Sequence, residues 1–128
     1  MLNNYLTNNY AKMKSQRQDY ILNLIKSDTN QKILIVGGAE GIFADKIIKI
    51  SGVSKLYTIE IEAAFIEMLK ANHKLIVQEG DLNVNFPYED NFFDLIVADQ
   101  VIEHLYDTDI FLQESKRVLR GGENDYYN

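Results

Sequence analysis

The sequence predicts an α/β protein with a doubly wound parallel sheet, and two observations support this prediction. The first is the stretch Lys32–Gly41, in which the apolar run Ile33–Val36 leads directly into a glycine-rich turn. A short, continuous apolar run suits a strand that is buried on both faces, as in a parallel sheet. The second is that strand-like and helix-like segments alternate along the chain, which favours right-handed crossovers between parallel strands.

The composition indicates one soluble globular domain. The chain has 128 residues, of which 46% are hydrophobic and 25% are charged, and its formal net charge is −6. This charge disfavours a nucleic-acid backbone as the main partner. Because the chain has no cysteine and only two histidines, we expect neither disulfides nor a metal site. No apolar segment reaches membrane-spanning length and no secretory signal opens the chain, so we expect a cytoplasmic protein without membrane partners.

Residues 1–28 are predicted to form an N-terminal segment and a helix. Residues 1–9 are polar and rich in asparagine, and we expect them to be loose. Within residues 10–27, apolar side chains fall mostly on one helical face. We interpret this helix as one that packs on the sheet. The alternative is a flap over the active site, with Tyr5 or Tyr10 near the substrate.

Residues 29–128 are predicted to form the core, with four strands and three helices. The strands are short apolar runs, and the helices carry their apolar residues on one face. The predicted strands 1 to 4 are Lys32–Val36, Lys55–Glu60, Lys74–Gln78 and Phe93–Ala98. The predicted helices are Ile42–Ile50, Glu62–Asn72 and Asp109–Arg120, and a polar loop covers Gly80–Phe92.

The glycine turn and the acid that ends strand 2 predict a site for a nucleotide-like ligand. Gly37, Gly38 and Gly41 let the backbone turn tightly and approach a ligand, and the following helix N-terminus presents free N–H groups. Glu60 comes 19 residues after Gly41. An acid at this place accepts hydrogen bonds from ribose hydroxyls in nucleotide-binding sheets. The alternative is a solvated acid at a strand end.

Further polar residues follow strands 3 and 4. Asp81 either accepts a hydrogen bond from an adenine amino group or caps a turn in its loop. Asp99 and Gln100 end strand 4, at the edge where such sheets bind ligands. We interpret His104 as a structural hydrogen-bonding residue and His73 as a surface residue.

The glycine spacing disfavours a nicotinamide dinucleotide. The dinucleotide fingerprint requires G-x-G-x-x-G. Counting from Gly37 puts Ala39 and Ile42 at the second and third glycine positions, so NAD is a distant alternative.

Four stretches together resemble class I S-adenosylmethionine-dependent methyltransferases, especially the small-molecule group typified by enzymes of ubiquinone and menaquinone biosynthesis. The stretches are KILIVGGAEG, LYTIEIE, EGDL, and FPYEDNFFDLIVADQVIEHL followed by FLQESKRVLRGGE. They occur in the family's order and cover residues 30–123. The resemblance implies a Rossmann-like, truncated sheet of about four strands in the order 3-2-1-4, with helices on both faces.

The resemblance also implies S-adenosylmethionine as cofactor and methyl transfer to an unidentified small-molecule acceptor. In the family's pattern Glu60 binds the ribose, Ile61 packs on the adenine, and Asp81 with Leu82 meets the adenine edge. The implied cofactor-binding set is Gly37, Gly38, Ala39, Gly41, Glu60, Ile61, Asp81, Leu82, Asp99 and Gln100. We name no catalytic base, because an activated cofactor mainly requires that the two reactants be positioned.

Departures from the family's pattern leave two other functions open. Ile35 stands where the family often has an acid, and Ala39 where it usually has a glycine. Ile35 and the Gly37–Gly38 pair resemble spermidine synthases instead, so aminopropyl transfer is a minor alternative. The acids that mark those enzymes after strand 4 are not evident here. The other alternative is a non-catalytic cofactor-binding or partner subunit with the same fold.

The predicted core lacks the usual C-terminal strands. Family members continue after the double glycine into a fifth strand, whereas the final segment ENDYYN is polar and without a strand pattern. We therefore expect strand 4 to be an open edge and Phe111 or Val118 to be uncovered. Such an edge invites pairing, which predicts a homodimer or a partner chain at strand 4.

Overall fold

The structure is a computed structural model that describes residues 2–37, 39, 41–121 and 126–127. Its helices are α1 (Leu2–Leu24), α2 (Ile42–Ser51), α3 (Ala63–Lys70) and α4 (Thr108–Val118), with a short 3₁₀ helix at Ile102–His104. Its strands are β1 (Ile33–Val36), β2 (Leu56–Glu60), β3 (Leu75–Glu79), β4 (Leu95–Ala98) and β5 (Tyr126–Tyr127). No helix in the described part of the chain is both long and apolar enough to span a membrane.

The strands form one parallel sheet in the order β3-β2-β1-β4-β5. β1 pairs with β4 in a register that runs from Ile33 and Leu95 to Val36 and Ala98. The predicted order 3-2-1-4 is confirmed. Because the winding reverses between β1 and β4, a crevice opens beyond the carboxyl ends of these two strands.

Two apolar layers enclose the sheet, as predicted. Alternate residues of a strand point to opposite faces. Ile33 and Ile35 therefore join a core formed with α1, α2 and α3, whereas Leu34 and Val36 join a second core formed with α4. All four side chains are buried, which explains why this stretch of the sequence contains only apolar residues.

The fifth strand corrects the prediction that no strand follows Gly122. β5 pairs with Ile96 and Val97, on the edge of β4 that was expected to be open. Phe111 and Val118 are also buried, with 3% and 0% of their surface exposed, because α4 packs closely on the sheet. A homodimer or partner contact was predicted at this edge because β4 was expected to be unpaired, and that reason no longer applies. The other residues of ENDYYN lie outside the described residues.

The N-terminal helix is longer than predicted. α1 begins at Leu2, so residues 2–9 are helical rather than loose. Its C-terminal half buries Ile21 and Leu22, and Ile25 just beyond it, in the core shared with α2. The apolar side chains of its first half remain exposed, among them Leu2, Tyr5, Leu6, Tyr10 and Met13.

A charged cluster fixes the loop before β4 onto α4. Glu114 Oε1 accepts a hydrogen bond from the Phe86 backbone N–H at 2.7 Å, and Arg117 Nε donates to Glu114 Oε2 at 2.7 Å. Arg117 also donates to the carbonyls of Phe86 and Tyr88 and to Asp90. The hydrogen bond from Arg117 is the main reason that the pKa of Glu114 lies below its ordinary value of 4.5.

Candidate functional site

The glycine turn after β1 leaves no room for a side chain at its first position. Gly37 has a φ of +78°, in the left-handed region that favours glycine. A Cβ atom placed there would lie 2.6 Å from the Asp99 carbonyl oxygen and 2.9 Å from Val101 Cγ2. The missing side chain therefore lets the ends of β1 and β4 approach each other at the crevice.

The rest of the turn leads into α2. Gly41 is the N-cap residue and supplies no side-chain hydrogen bond, so the first N–H groups of α2 have no side-chain cap. Ala39 is buried, with 4% of its surface exposed, and packs in the core rather than facing the crevice. Gly38, the remaining predicted residue of this turn, lies outside the described residues.

The first half of the site is a cavity of about 310 Å³, here called the β2–β3 cavity. It collects residues from the carboxyl ends of β1 to β4, as the topology requires. Six predicted site residues line it, together with Val101, His104 and Leu105: Gly37, Glu60, Ile61, Asp81, Leu82 and Gln100. The structure thus brings six predicted site residues together from four separate segments, and their role in binding stays a prediction.

The Glu60 carboxylate is held by its own backbone. Oε2 accepts hydrogen bonds from the N–H groups of Ile61 at 2.7 Å and Glu62 at 3.1 Å. Among the described residues no donor contacts Oε1. One carboxylate oxygen is thus fixed while the other is available at the cavity.

Asp81 caps its loop in this structure. Its Oδ1 accepts hydrogen bonds from the backbone N–H and the side-chain amide of Asn83, at 2.9 and 3.0 Å. Asn83 Oδ1 in turn accepts from the N–H groups of Tyr106 at 2.8 Å and Asp107 at 3.3 Å. Asn83, which the sequence prediction missed, therefore joins the loop after β3 to the segment before α4. The only signal for it was its position two residues after an aspartate.

The two histidines lie in different settings. His104 lines the β2–β3 cavity and is exposed, and its backbone N–H donates to the Val101 carbonyl. In the described residues its imidazole makes no hydrogen bond, so the predicted structural role does not hold for the ring. His73 is exposed, in agreement with the prediction of a surface residue.

The second half of the site is a cavity of about 510 Å³ between α1 and α2, here called the α1–α2 cavity. Gly37 and Gln100 line both cavities, so the two cavities are adjacent and meet at the glycine turn; together they are called the cleft. α1 contributes Ala11, Lys14, Ser15 and Gln18, and the other lining residues are Gly41, Ile42, Phe43, Lys46 and Asp99.

α1 reaches the end of β4 through polar contacts. Arg17 Nε donates to Asp99 Oδ1 at 2.7 Å, and Gln18 Nε2 donates to Asp99 Oδ2 at 3.3 Å. The Tyr10 hydroxyl donates to Gln100 Oε1 at 3.4 Å. The helix thus packs on the core and also lines the α1–α2 cavity. The alternative of a flap over the active site, with Tyr5 or Tyr10 near the substrate, stays a prediction. Arg17 and Gln18 were missed, because nothing in the local pattern indicates a contact with a residue so distant in the sequence.

The fold is that of class I S-adenosylmethionine-dependent methyltransferases. The chain belongs to the methyltransferase domain family, which matches residues 34–123, from β1 through α4. Comparison with curated proteins gives no match.

Solved structures share this fold at low sequence identity. The YcgJ protein from Bacillus subtilis is 18% identical, with a TM-score of 0.70, over 83% of this chain and 47% of that one. A SAM-dependent methyltransferase from Aquifex aeolicus is 22% identical, with a TM-score of 0.66, over 80% of this chain and 58% of that one. A chain from the complex between the Haloferax volcanii Trm112 methyltransferase activator and a putative methyltransferase is 15% identical, with a TM-score of 0.70, over 86% of this chain and 51% of that one. The present chain therefore spans about half the length of these proteins.

Proposed function

We propose that this chain binds S-adenosylmethionine along the cleft and is the cofactor-binding part of an enzyme that methylates a small molecule. The observation that supports this most is that the two cavities meet at Gly37 and Gln100. The cleft has the acids Glu60 and Asp81 at one end and Asp99 at the other, and a side chain has no room at Gly37.

In this proposal the β2–β3 cavity holds the adenosine. Glu60 presents the oxygen Oε1 to the ribose hydroxyls, while its other oxygen stays on the backbone. Ile61 and Leu82 supply apolar surface for the adenine, and Asp81 lies where it can accept from the exocyclic amino group. An acidic residue suits both hydroxyl and amino donors, because a carboxylate accepts hydrogen bonds and donates none.

The methionine part of the cofactor then extends over Gly37 into the α1–α2 cavity. Gly38 and Gly41 belong to the turn that it passes, and Ala39 supports that turn from the core. When bound, the cofactor supplies an activated methyl group, so the protein mainly orients the two reactants and excludes water. α1 serves this purpose by covering the cavity, with Arg17 and Gln18 bound to Asp99.

Aminopropyl transfer is the less favoured alternative. That reaction requires a cationic amine acceptor, for which free carboxylates are the fitting partners. Here both oxygens of Asp99 are engaged by α1, and Lys14 and Lys46 line the cavity. Two ammonium groups would repel a polyamine.

A partner chain is a second candidate for completing the site. One of the structural neighbours comes from a complex with an activator protein. A non-catalytic subunit that binds the cofactor and relies on a partner for turnover would fit this observation.

Calorimetric titration with S-adenosylhomocysteine tests the cofactor proposal. We expect binding in the micromolar range to the folded, isolated protein. Folded protein that shows no binding would refute the proposed cofactor. Release of S-adenosylhomocysteine from S-adenosylmethionine, measured with a panel of small-molecule acceptors, then distinguishes an enzyme from a non-catalytic subunit.

A further inference from the structure

We propose that the methyl acceptor is anionic, a small molecule whose carboxylate or phosphate group is held by Lys14 and Lys46 in the α1–α2 cavity. This inference rests on the proposed function, because it names the substrate class of the same site. It is derived from the charges of the described residues that line the cavity.

The two lysines come from two helices that are fixed relative to each other. Lys14 lies on α1 and Lys46 on α2, and both line the same cavity of about 510 Å³. Ile21 of α1 and Ile47 of α2 belong to one buried core, with 2% and 0% of their surface exposed. The two lysines, both exposed, therefore approach the cavity from different walls, on helices that are fixed relative to each other.

The acidic groups near the lysines are already engaged. Asp99, the only carboxylate among the described lining residues, is paired with Arg17 at 2.7 Å and accepts a hydrogen bond from Gln18. Asp45, the neighbour of Lys46, is exposed and pairs with Lys74 at 3.5 Å. Within the described part of the chain neither Lys14 nor Lys46 belongs to an ion pair. The lining therefore carries two positive charges that Asp99 does not offset.

The charge of these two lysines is opposite in sign to the net charge of the chain. The formal net charge is −6, so a cavity lined by two lysines differs in charge from the protein surface as a whole. Clefts lined by one sign of charge concentrate ligands of the opposite sign. The expected ligand group at Lys14 and Lys46 is consequently an anion.

Binding of the cofactor alone would not neutralise the positive charges of Lys14 and Lys46. S-adenosylmethionine brings a sulfonium and an ammonium group but only one carboxylate, so binding of its methionine part would add net positive charge to the α1–α2 cavity. An anionic acceptor reduces this excess. During transfer a lone pair of the acceptor atom forms the bond to the methyl carbon, and the electron pair of the breaking S–C bond returns to sulfur. The sulfur becomes a neutral thioether, which removes one positive charge and weakens the hold on an anionic product.

Citrate is a suitable probe, since it carries several carboxylates and is not itself the proposed substrate. We expect citrate to bind to protein saturated with S-adenosylhomocysteine, in NMR titrations at constant ionic strength. Lys14→Gln and Lys46→Gln should each weaken citrate binding by about threefold or more. Lys12→Gln on α1 and Lys49→Gln on α2 are matched controls outside the cavity lining, and they should leave the affinity within about 1.5-fold of the wild-type value.

Three results would overturn the inference. One is that citrate fails to bind the loaded protein, and another is that the control variants weaken it as much as the cavity variants do. The third is that Lys14→Gln and Lys46→Gln weaken S-adenosylhomocysteine but not 5′-methylthioadenosine, which lacks the carboxylate, and leave citrate unaffected. That pattern would assign the lysines to the cofactor's own carboxylate. In each of these cases, normal binding of S-adenosylhomocysteine by the wild-type protein would preserve the proposed function. If the wild-type protein does not bind it at all, the proposed function and this inference are both refuted.

Discussion

Arg17 and Asp99 are 82 residues apart in the sequence, and Arg17 Nε donates to Asp99 Oδ1 at 2.7 Å. Asp99 is buried, whereas the Arg17 side chain is 28% exposed. The contact fastens the N-terminal helix to the end of β4, beside the α1–α2 cavity. One face of the site is therefore formed by a segment that precedes the sheet.

The first prediction concerns the contribution of this pair to stability. Arg17→Gln should lower the free energy of unfolding by about 1–3 kcal/mol, because it leaves a buried carboxylate without its cation. Urea unfolding at pH 7 measures the change. In a cycle with Asp99→Asn the two effects should be non-additive. If the double variant shows the simple sum of the single effects, the pair is not coupled as the geometry indicates.

The second prediction separates backbone strain from steric collision at glycine. Gly37 and Gly121 have almost the same φ, +78° and +81°, but among the atoms of the described residues a Cβ would collide only at Gly37. Gly121→Ala should therefore cost about 1–2 kcal/mol of stability through backbone strain alone. Gly37→Ala should cost clearly more and abolish binding of S-adenosylhomocysteine. Thermal unfolding and calorimetry measure the two effects, and equal losses of stability would contradict the role of the collision.

The same geometry revises an expectation about larger side chains at this position. The sequence alone suggests that Gly37→Val would remove binding and leave the secondary structure largely intact, because the side chain would meet the ligand. In the structure the nearest obstacle is the Asp99 carbonyl oxygen of the protein itself. We therefore expect Gly37→Val to destabilise the junction of β1 and β4 as well, which circular dichroism during heating would show.

The third prediction concerns the ribose contact. Glu60→Ala should weaken binding of S-adenosylhomocysteine by about 1–3 kcal/mol, because it leaves the ribose hydroxyls without an acceptor. Glu62 is the matched control: it is two residues away, exposed, and makes no side-chain cap on α3. Glu62→Ala should leave the calorimetric affinity unchanged. Equal affinities in the two variants would remove Glu60 from the site.

The fourth prediction concerns acid stability. The pKa of Glu114 is lowered in the folded protein, chiefly by the hydrogen bond from Arg117. A group with a lowered pKa stabilises the fold above its unfolded pKa, and this stabilisation disappears as the pH falls through the folded pKa. Wild-type protein should therefore lose stability below about pH 4.5, the ordinary value. Glu114→Gln should lose less over the same range, as urea unfolding at pH 7 and pH 3.5 would show. The exposed Glu67 supplies the control variant Glu67→Gln, and a pH dependence of Glu114→Gln equal to the wild type would contradict the assignment.

The fold was predictable where the signals are local. The run Ile33–Val36 is buried on both sides of the sheet, so its apolar pattern is complete, and Glu60 follows directly from the end of a strand. β5 could not be predicted, because its two residues join the sheet by backbone pairing, for which the side chains give no periodic pattern. The start of α1 was missed for a related reason, since residues 2–9 are largely exposed and carry no amphipathic signal.

The residues that line the β2–β3 cavity were largely predictable from the sequence, and those of the α1–α2 cavity much less so. Glu60, Asp81 and Gln100 come directly after strands, and the topology alone brings them together. Lys14 and Arg17 lie on a helix whose position depends on packing between distant segments. A single sequence contains no local signal for such a contact.

The bridge formed by Asn83 joins the two loops that border the β2–β3 cavity. Its Oδ1 accepts hydrogen bonds from the N–H groups of Tyr106 and Asp107, so the loop after β3 and the segment before α4 are fixed to each other. Preorganised binding surfaces lose little conformational entropy on association. A ligand that binds in this cavity would therefore lose little affinity to the ordering of these two loops.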